Sequence, residues 1–213
     1  MQTMIKIEKT QTYGWEATIR GMRNPMNSWD KSDSCFCPDE PACEGNCAVH
    51  IGPSDLGLMT KLAAAGNDHG KFLRMITVTV DLTAPLYWWK EFDTYKVGTV
   101  ANSCSTMHKI QAKEFTQDDF SHDHLAEDSL MVLDVVIGQL NAARMVFNAT
   151  QEKEEWWQMI QLLPSSYNQK RTVLLNYAVL KNIYHSRKNH KLDEWHDFCH
   201  WIEGLPYSKL ITE

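Results

Sequence analysis

A long basic run is the first thing missing from this 213-residue chain, which carries a formal net charge of −6. It therefore lacks the footprint by which proteins hold duplex nucleic acid, and a nucleic-acid polymer is not its expected partner. Long hydrophobic runs are missing too. No stretch reads as approaching the roughly 20 apolar residues that cross a bilayer. The opening MQTMIKIEKTQ has none of the apolar character of a signal peptide. The expectation is a cytosolic protein, with no membrane partner, whose six cysteines stay reduced. Internal repeats are also absent.

What is present is the composition of a folded domain. Hydrophobic residues make up 43% of the chain and eight are Trp, which is enough for one full core, so a single domain over 1–213 is expected. The aromatic content argues against general disorder.

Periodicity then divides the chain. Met4 to Ile7 reads as a short strand and Tyr13 to Met22 as a helix, ended by Asn24-Pro25. Residues 24–53 hold four Pro and four Cys and read as a loop inserted into the domain at about 30–53. Ser54 and Asp55 supply N-cap chemistry for a helix that stops near Gly66. In RMITVTVDL, Ile76, Val78, Val80 and Leu82 alternate with polar residues, the pattern of a half-buried strand. Pro85 suits the first turn of a helix over LYWWKEFDTYK, and the small, polar stretch from Gly98 to Ser105 is not a core element. Helices are predicted over 122–149, with Leu130, Leu133, Val136 and Leu140 inward, over 151–163, over 168–187 and over 191–203. The fold class is α+β with helix dominant.

Two segments carry candidate chemistry. TYKVGTVANSCSTMHK, Thr94 to Lys109, is a run of small hydroxyl residues that offers amides and oxygens to a ligand; a solvated turn is the other reading. Asn176 and Arg187 lie eleven residues apart, near three helical turns, beside an apolar stripe of Val173, Tyr177, Leu180 and Tyr184. They line a cleft or form a solvated helix edge. His196 and His200 sit beside Trp195 and Trp201 on the final helix and read as packing.

Together these landmarks resemble the flavin-dependent thymidylate synthases over most of the chain outside the Cys-rich loop. That family has a strand ending in Ala-Pro and a short helix leading into Arg-His-Arg. A Ser, an Asn-Glu pair and a Ser-x-Arg follow, then a Leu-Pro turn and a helix with two Asn, an Arg and a His. Here the matching residues are Ala84-Pro85, LYWWKEFD, the Thr94–Lys109 segment, Leu163-Pro164, Asn176, Asn182, Arg187 and His190.

The resemblance implies an antiparallel sheet with a mostly helical second half, FAD as cofactor, NADPH and a folate as co-substrates, and a homotetramer. The reaction it implies is methylation of a dUMP-like pyrimidine deoxynucleotide. Arg187 would be the catalytic residue, acting on the pyrimidine, with Lys90, Glu91 and Ser105 also facing the substrate. Tyr95, Lys96, Thr99, Asn102, Asn176, Asn182 and His190 would face the flavin. Thr94, Tyr95 and Lys96 stand where the family has Arg-His-Arg, and Met107 and Ile160 stand where it has phosphate-gripping Arg. Each Arg lost in this way removes a planar bidentate donor. His108, Lys109, Lys170 and Arg171 are the nearby residues that would restore positive charge. A non-catalytic nucleotide- or protein-binding module on the same scaffold is the alternative.

Cys35, Cys37, Cys43 and Cys47 place four thiols within thirteen residues, near enough for a zinc ion or an iron-sulfur cluster, or to remain as reduced loop thiols.

Overall fold

Alternation sets the central strand. In β2 (Thr77–Pro85) Val78, Val80, Leu82 and Ala84 are buried, while Thr77, Thr79, Asp81 and Thr83 are only partly covered. One face of this strand is therefore dry. Pro85, extended at φ −68°, hands the chain directly to α3 (Leu86–Phe92).

The computed structural model describes residues 4–36 and 49–213. The other elements in chain order are β1 (Lys6–Tyr13), α1 (Trp15–Arg23), α2 (Pro53–Ala64), β3 (Val100–Ser103), α4 (Glu127–Thr150), α5 (Lys153–Leu162), β4 (Asn168–Asn176), α6 (Tyr177–Arg187), α7 (Asp193–Glu203) and α8 (Lys209–Thr212). The strands pair in the order β1-β2-β4-β3 in an antiparallel sheet, and the fold is α+β as expected. β3 is an edge strand with all four residues exposed, so the small polar stretch it occupies stays outside the core.

Two compact units make up the chain, and the boundary between them cuts every strand. Unit 1 comprises Met1–Glu8, Asp81–Thr94 and Ala101–Val173. Its α3 buries Trp88, Trp89 and Phe92, with ring centroids 4.9 to 5.2 Å apart. The Trp89 indole N–H donates to the Gln169 carbonyl at 3.0 Å. On α4, Leu133, Ile137, Leu140 and Ala143 recur three and four residues apart and pack with Ile110, Phe115, Phe120 and Met159.

The outer surface of α4 overturns one expectation. This helix is long and apolar enough to cross a membrane by length and composition, yet only 17% of its most apolar stretch is buried. Met131, Val132, Val135, Met145 and Val146 are all exposed. Scattered Asp, Asn, Gln and Gly break the apolar run in sequence, but folded as a helix the apolar residues gather on both the inner and outer faces.

Unit 2 comprises Lys9–Val80, Tyr95–Val100 and Leu174–Glu213. Trp15 meets the rings of Tyr177 and Tyr207 edge-on at 5.3 and 5.5 Å. The Tyr177 hydroxyl donates to the Pro206 carbonyl at 2.6 Å, and burial pushes its phenol well above the usual range. Arg23 and Asp55 form a buried ion pair at 2.6 Å. Asp55 also accepts hydrogen bonds from the hydroxyls of Ser32 and Ser34 and the amides of Asp33 and Ser34.

The helix expected over 168–187 is instead β4 followed by α6. Val173 therefore lies on a strand, and Asn176 is the junction itself.

Candidate functional site

Asn176 ends β4 with extended backbone, and its side-chain oxygen accepts from the Val179 amide at 3.0 Å, capping α6. Its side-chain amide donates to the Gly98 carbonyl at 3.4 Å. Gly98 sits at φ +79°, and a Cβ there would lie 2.7 Å from the Asn176 side-chain nitrogen and 3.3 Å from a Val179 methyl. This position tolerates only glycine without rearrangement.

The same segment meets the other end of α6. Arg187 Nε donates to the Tyr95 hydroxyl at 2.9 Å. The guanidinium lies 4.8 Å from the Trp195 ring centroid and 5.6 Å from that of Tyr95. Its orientation is thus set by a cation–π cage, of which Trp195 is the fully buried wall. His190 closes the turn after α6, donating its amide to the Arg187 carbonyl at 2.9 Å and accepting from the Leu192 amide at 3.2 Å.

Between these ends unit 2 has an open-sided cavity of about 720 Å³, lined by residues that include Asn176, Asn182, Val97, Gly98, Arg74, Lys181 and His185. That volume suits a ligand of cofactor size. Among the described residues no Asp or Glu lines it. Thr99, in the same connecting segment, has a buried hydroxyl oxygen with no hydrogen-bond partner among the described residues, a state that costs about 1–3 kcal/mol unless a bound group satisfies it.

The expected site residues of unit 1 are placed differently. Lys90 is exposed and Glu91 half-buried near the end of α3, and Asn102 is exposed on β3. The Ser105 hydroxyl is 2.8 Å from His108 Nδ1 and accepts from the amides of Met107 and His108, so its own turn engages it. Lys170 pairs with Asp81 at 3.0 Å and Glu8 at 3.7 Å. Arg171 pairs with Asp93 at 2.8 Å, donates to Gln169 and lies 4.1 Å over the Trp89 ring. These two cations were expected to restore charge lost from the signature; instead they are bound to carboxylates of their own unit, and β4 holds them there by register.

No family model matches the chain, and no curated protein matches it. Solved structures do. The crystal structure of flavin-dependent thymidylate synthase ThyX from Helicobacter pylori, complexed with FAD and dUMP, aligns with a TM-score of 0.68 at 15% identity, covering 97% of each chain. A second ThyX structure from Helicobacter pylori with FAD and dUMP aligns with a TM-score of 0.68 at 14% identity, covering 98% of this chain and 96% of that one. The fold is that of a flavin-dependent thymidylate synthase.

On this thymidylate synthase fold, α6 gathers Asn176 and Asn182 at the cavity and Tyr95, Arg187 and His190 at its far end. Lys96 is exposed between the two groups in sequence. Arg74, Lys181 and His185 are cavity residues that the sequence reading passed over. Lys181 neighbours Asn182 and was legible in principle, whereas nothing in GKFLRM marks Arg74 until the turn Gly70–Arg74 is seen to pack on α6.

Of the expected metal set, Cys37, Cys43 and Cys47 lie outside the described residues. Cys35 is exposed, and its amide donates to the His50 carbonyl at 2.9 Å. Among the described residues no three His, Cys, Asp or Glu side chains are grouped to hold a metal ion.

Proposed function

We propose that this chain binds FAD in the unit 2 cavity and acts on a dUMP-like pyrimidine deoxynucleotide, as a divergent cytosolic enzyme of thymidylate-synthase type. The observation that carries the reading is the convergence of Asn176, Asn182 and Gly98 on one acid-free cavity, on a fold whose solved representatives hold FAD and dUMP. The residues present suit a flavin. Asn side chains offer both donor and acceptor atoms to a ring edge, Gly98 leaves space that a Cβ would take from Asn176, and Thr99 holds an unsatisfied hydroxyl.

A bound reduced flavin would supply hydride, with NADPH and a folate as co-substrates. Asn176 and Asn182 would hold the cofactor, with Tyr95, Lys96, Thr99 and His190 of the same unit as further contacts; Asn102, which the resemblance also assigns to the flavin, lies on unit 1. Within unit 2, Arg187, fixed by Tyr95 and Trp195, would orient and polarise the pyrimidine as the catalytic residue; within unit 1, Lys90, Glu91 and Ser105 are the residues that the resemblance assigns to the nucleotide. The exposed apolar face of α4 supports assembly into a homotetramer, because a patch of this kind marks an interaction surface.

A second reading is favoured by one observation. Lys170 and Arg171 are neutralised by Asp81, Glu8 and Asp93, and no other guanidinium in the signature region replaces those missing from it. A scaffold that binds nucleotide without turnover would show this. Titration calorimetry with FAD and dUMP, followed by deuterium exchange at C5 of the pyrimidine, separates the readings. The enzyme binds both and exchanges, and the non-catalytic module does not exchange. Failure to bind either ligand overturns both nucleotide readings.

A further inference from the structure

Arg74 and Lys181 reach the unit 2 cavity from separate elements, the turn Gly70–Arg74 and the second turn of α6. Neither side chain has an ion pair or hydrogen bond to any described residue. In a chain with 27 acidic against 21 basic residues, a concave surface bearing His185 and two cations without a side-chain partner among the described residues, with no carboxylate among the described residues of its lining, runs against the overall charge. Two uncompensated positive charges facing one cavity repel each other, and a dianion placed between them removes that cost and gains charge-assisted hydrogen bonds. Three glycines, Gly66, Gly70 and Gly98, also line the space, so backbone approaches it where side chains would block a bulky anion.

We propose that Arg74 and Lys181 form a diphosphate subsite, selecting a diphosphate-bearing ligand over an uncharged analogue. This rests on the reading of the cavity as a flavin site and deepens it: in place of the guanidinium groups missing at Thr94 and Lys96, the turn before β2 supplies the Arg74 guanidinium and α6 the Lys181 ammonium. Arg74 provides a planar, bidentate donor to phosphate oxygens, and Lys181 a point charge beside it. The flavin ring then lies with Asn176 and Asn182, and specificity for FAD over riboflavin comes from this cation pair.

The test is a fluorescence titration of the full chain with FAD, FMN and riboflavin, alongside calorimetry with inorganic pyrophosphate, for the wild type and for Arg74→Gln, Lys181→Gln and the double variant. Arg74 is exposed and Lys181 partly so, which makes the neutral variants compatible with folding, and far-UV circular dichroism confirms it. Wild type should bind FAD at least about tenfold more tightly than riboflavin, the difference expected from one or two charge-assisted contacts. The double variant should bring that ratio close to one and abolish pyrophosphate binding, with riboflavin affinity unchanged. Unchanged FAD and pyrophosphate affinities in the double variant would overturn the subsite while leaving flavin binding intact. Pyrophosphate binding that the variants abolish, in a protein that takes up no flavin, would uphold the subsite and overturn the flavin reading.

Discussion

Substituting Gly98 by alanine perturbs the candidate site through a contact that the structure defines atom by atom. The new Cβ would stand 2.7 Å from the Asn176 side-chain nitrogen, and the backbone there is left-handed at φ +79°. An alanine in that region costs about 1–2 kcal/mol. The clash is with the far end of a side chain, so Asn176 moves aside, but its oxygen then leaves the Val179 amide and the α6 cap is lost at about 1 kcal/mol. The combined penalty of about 2–3 kcal/mol corresponds to a fall in Tm of roughly 4–12 °C for a chain of this size. Displacing Asn176 also removes one cavity hydrogen-bonding group, so FAD affinity should fall roughly fivefold, the worth of one neutral hydrogen bond. Differential scanning fluorimetry and a flavin titration measure the two effects. A Gly98→Ala protein with wild-type Tm and wild-type FAD affinity would refute both the cap and the placement of Asn176 in the site.

Removing Asp55 leaves the Arg23 charge buried without its partner, so Asp55→Ala should lose about 3–5 kcal/mol, read from the shift of the urea midpoint. Burial opposes ionisation of Asp55, but hydrogen bonds from Ser34, Ser32 and Arg23 outweigh it and hold the carboxyl below its usual value. The stabilisation is therefore complete above the ordinary carboxylate range and is lost as pH falls through the depressed value, so the gap between wild type and Asp55→Asn should narrow in acid and not in base. On α4, Val135 is 73% exposed. Val135→Glu should lower the oligomeric mass in sedimentation velocity with little change in Tm; a monomeric wild type would contradict the assembly proposed.

The sequence reading recovered what simple periodicity encodes. β2, with Val78, Val80 and Leu82 buried and Ile76 buried just before it, and α3 opening after Pro85 follow from local pattern alone. β4 did not, because its inward positions are Gln169, Arg171, Val173 and Leu175, and the polar pair hides the alternation. Val173, Tyr177 and Leu180 then mimic a helical stripe across what is a strand-to-helix junction. The pairing of Asn176 with Gly98 and of Arg187 with Tyr95 joins the two segments that the sequence had singled out as carrying candidate chemistry. The commitments of Lys170 and Arg171 to carboxylates on other segments were illegible, since they depend on strand register and on Asp81 and Asp93. So did the cavity role of Arg74, which requires a turn distant in sequence to pack on α6.

Uptake of FAD by the purified chain tests the central claim most directly. After incubation with FAD and gel filtration, the protein should retain about one flavin per chain, with shifted visible bands and quenched fluorescence. A colourless protein that leaves all added FAD in the free fraction would contradict the account.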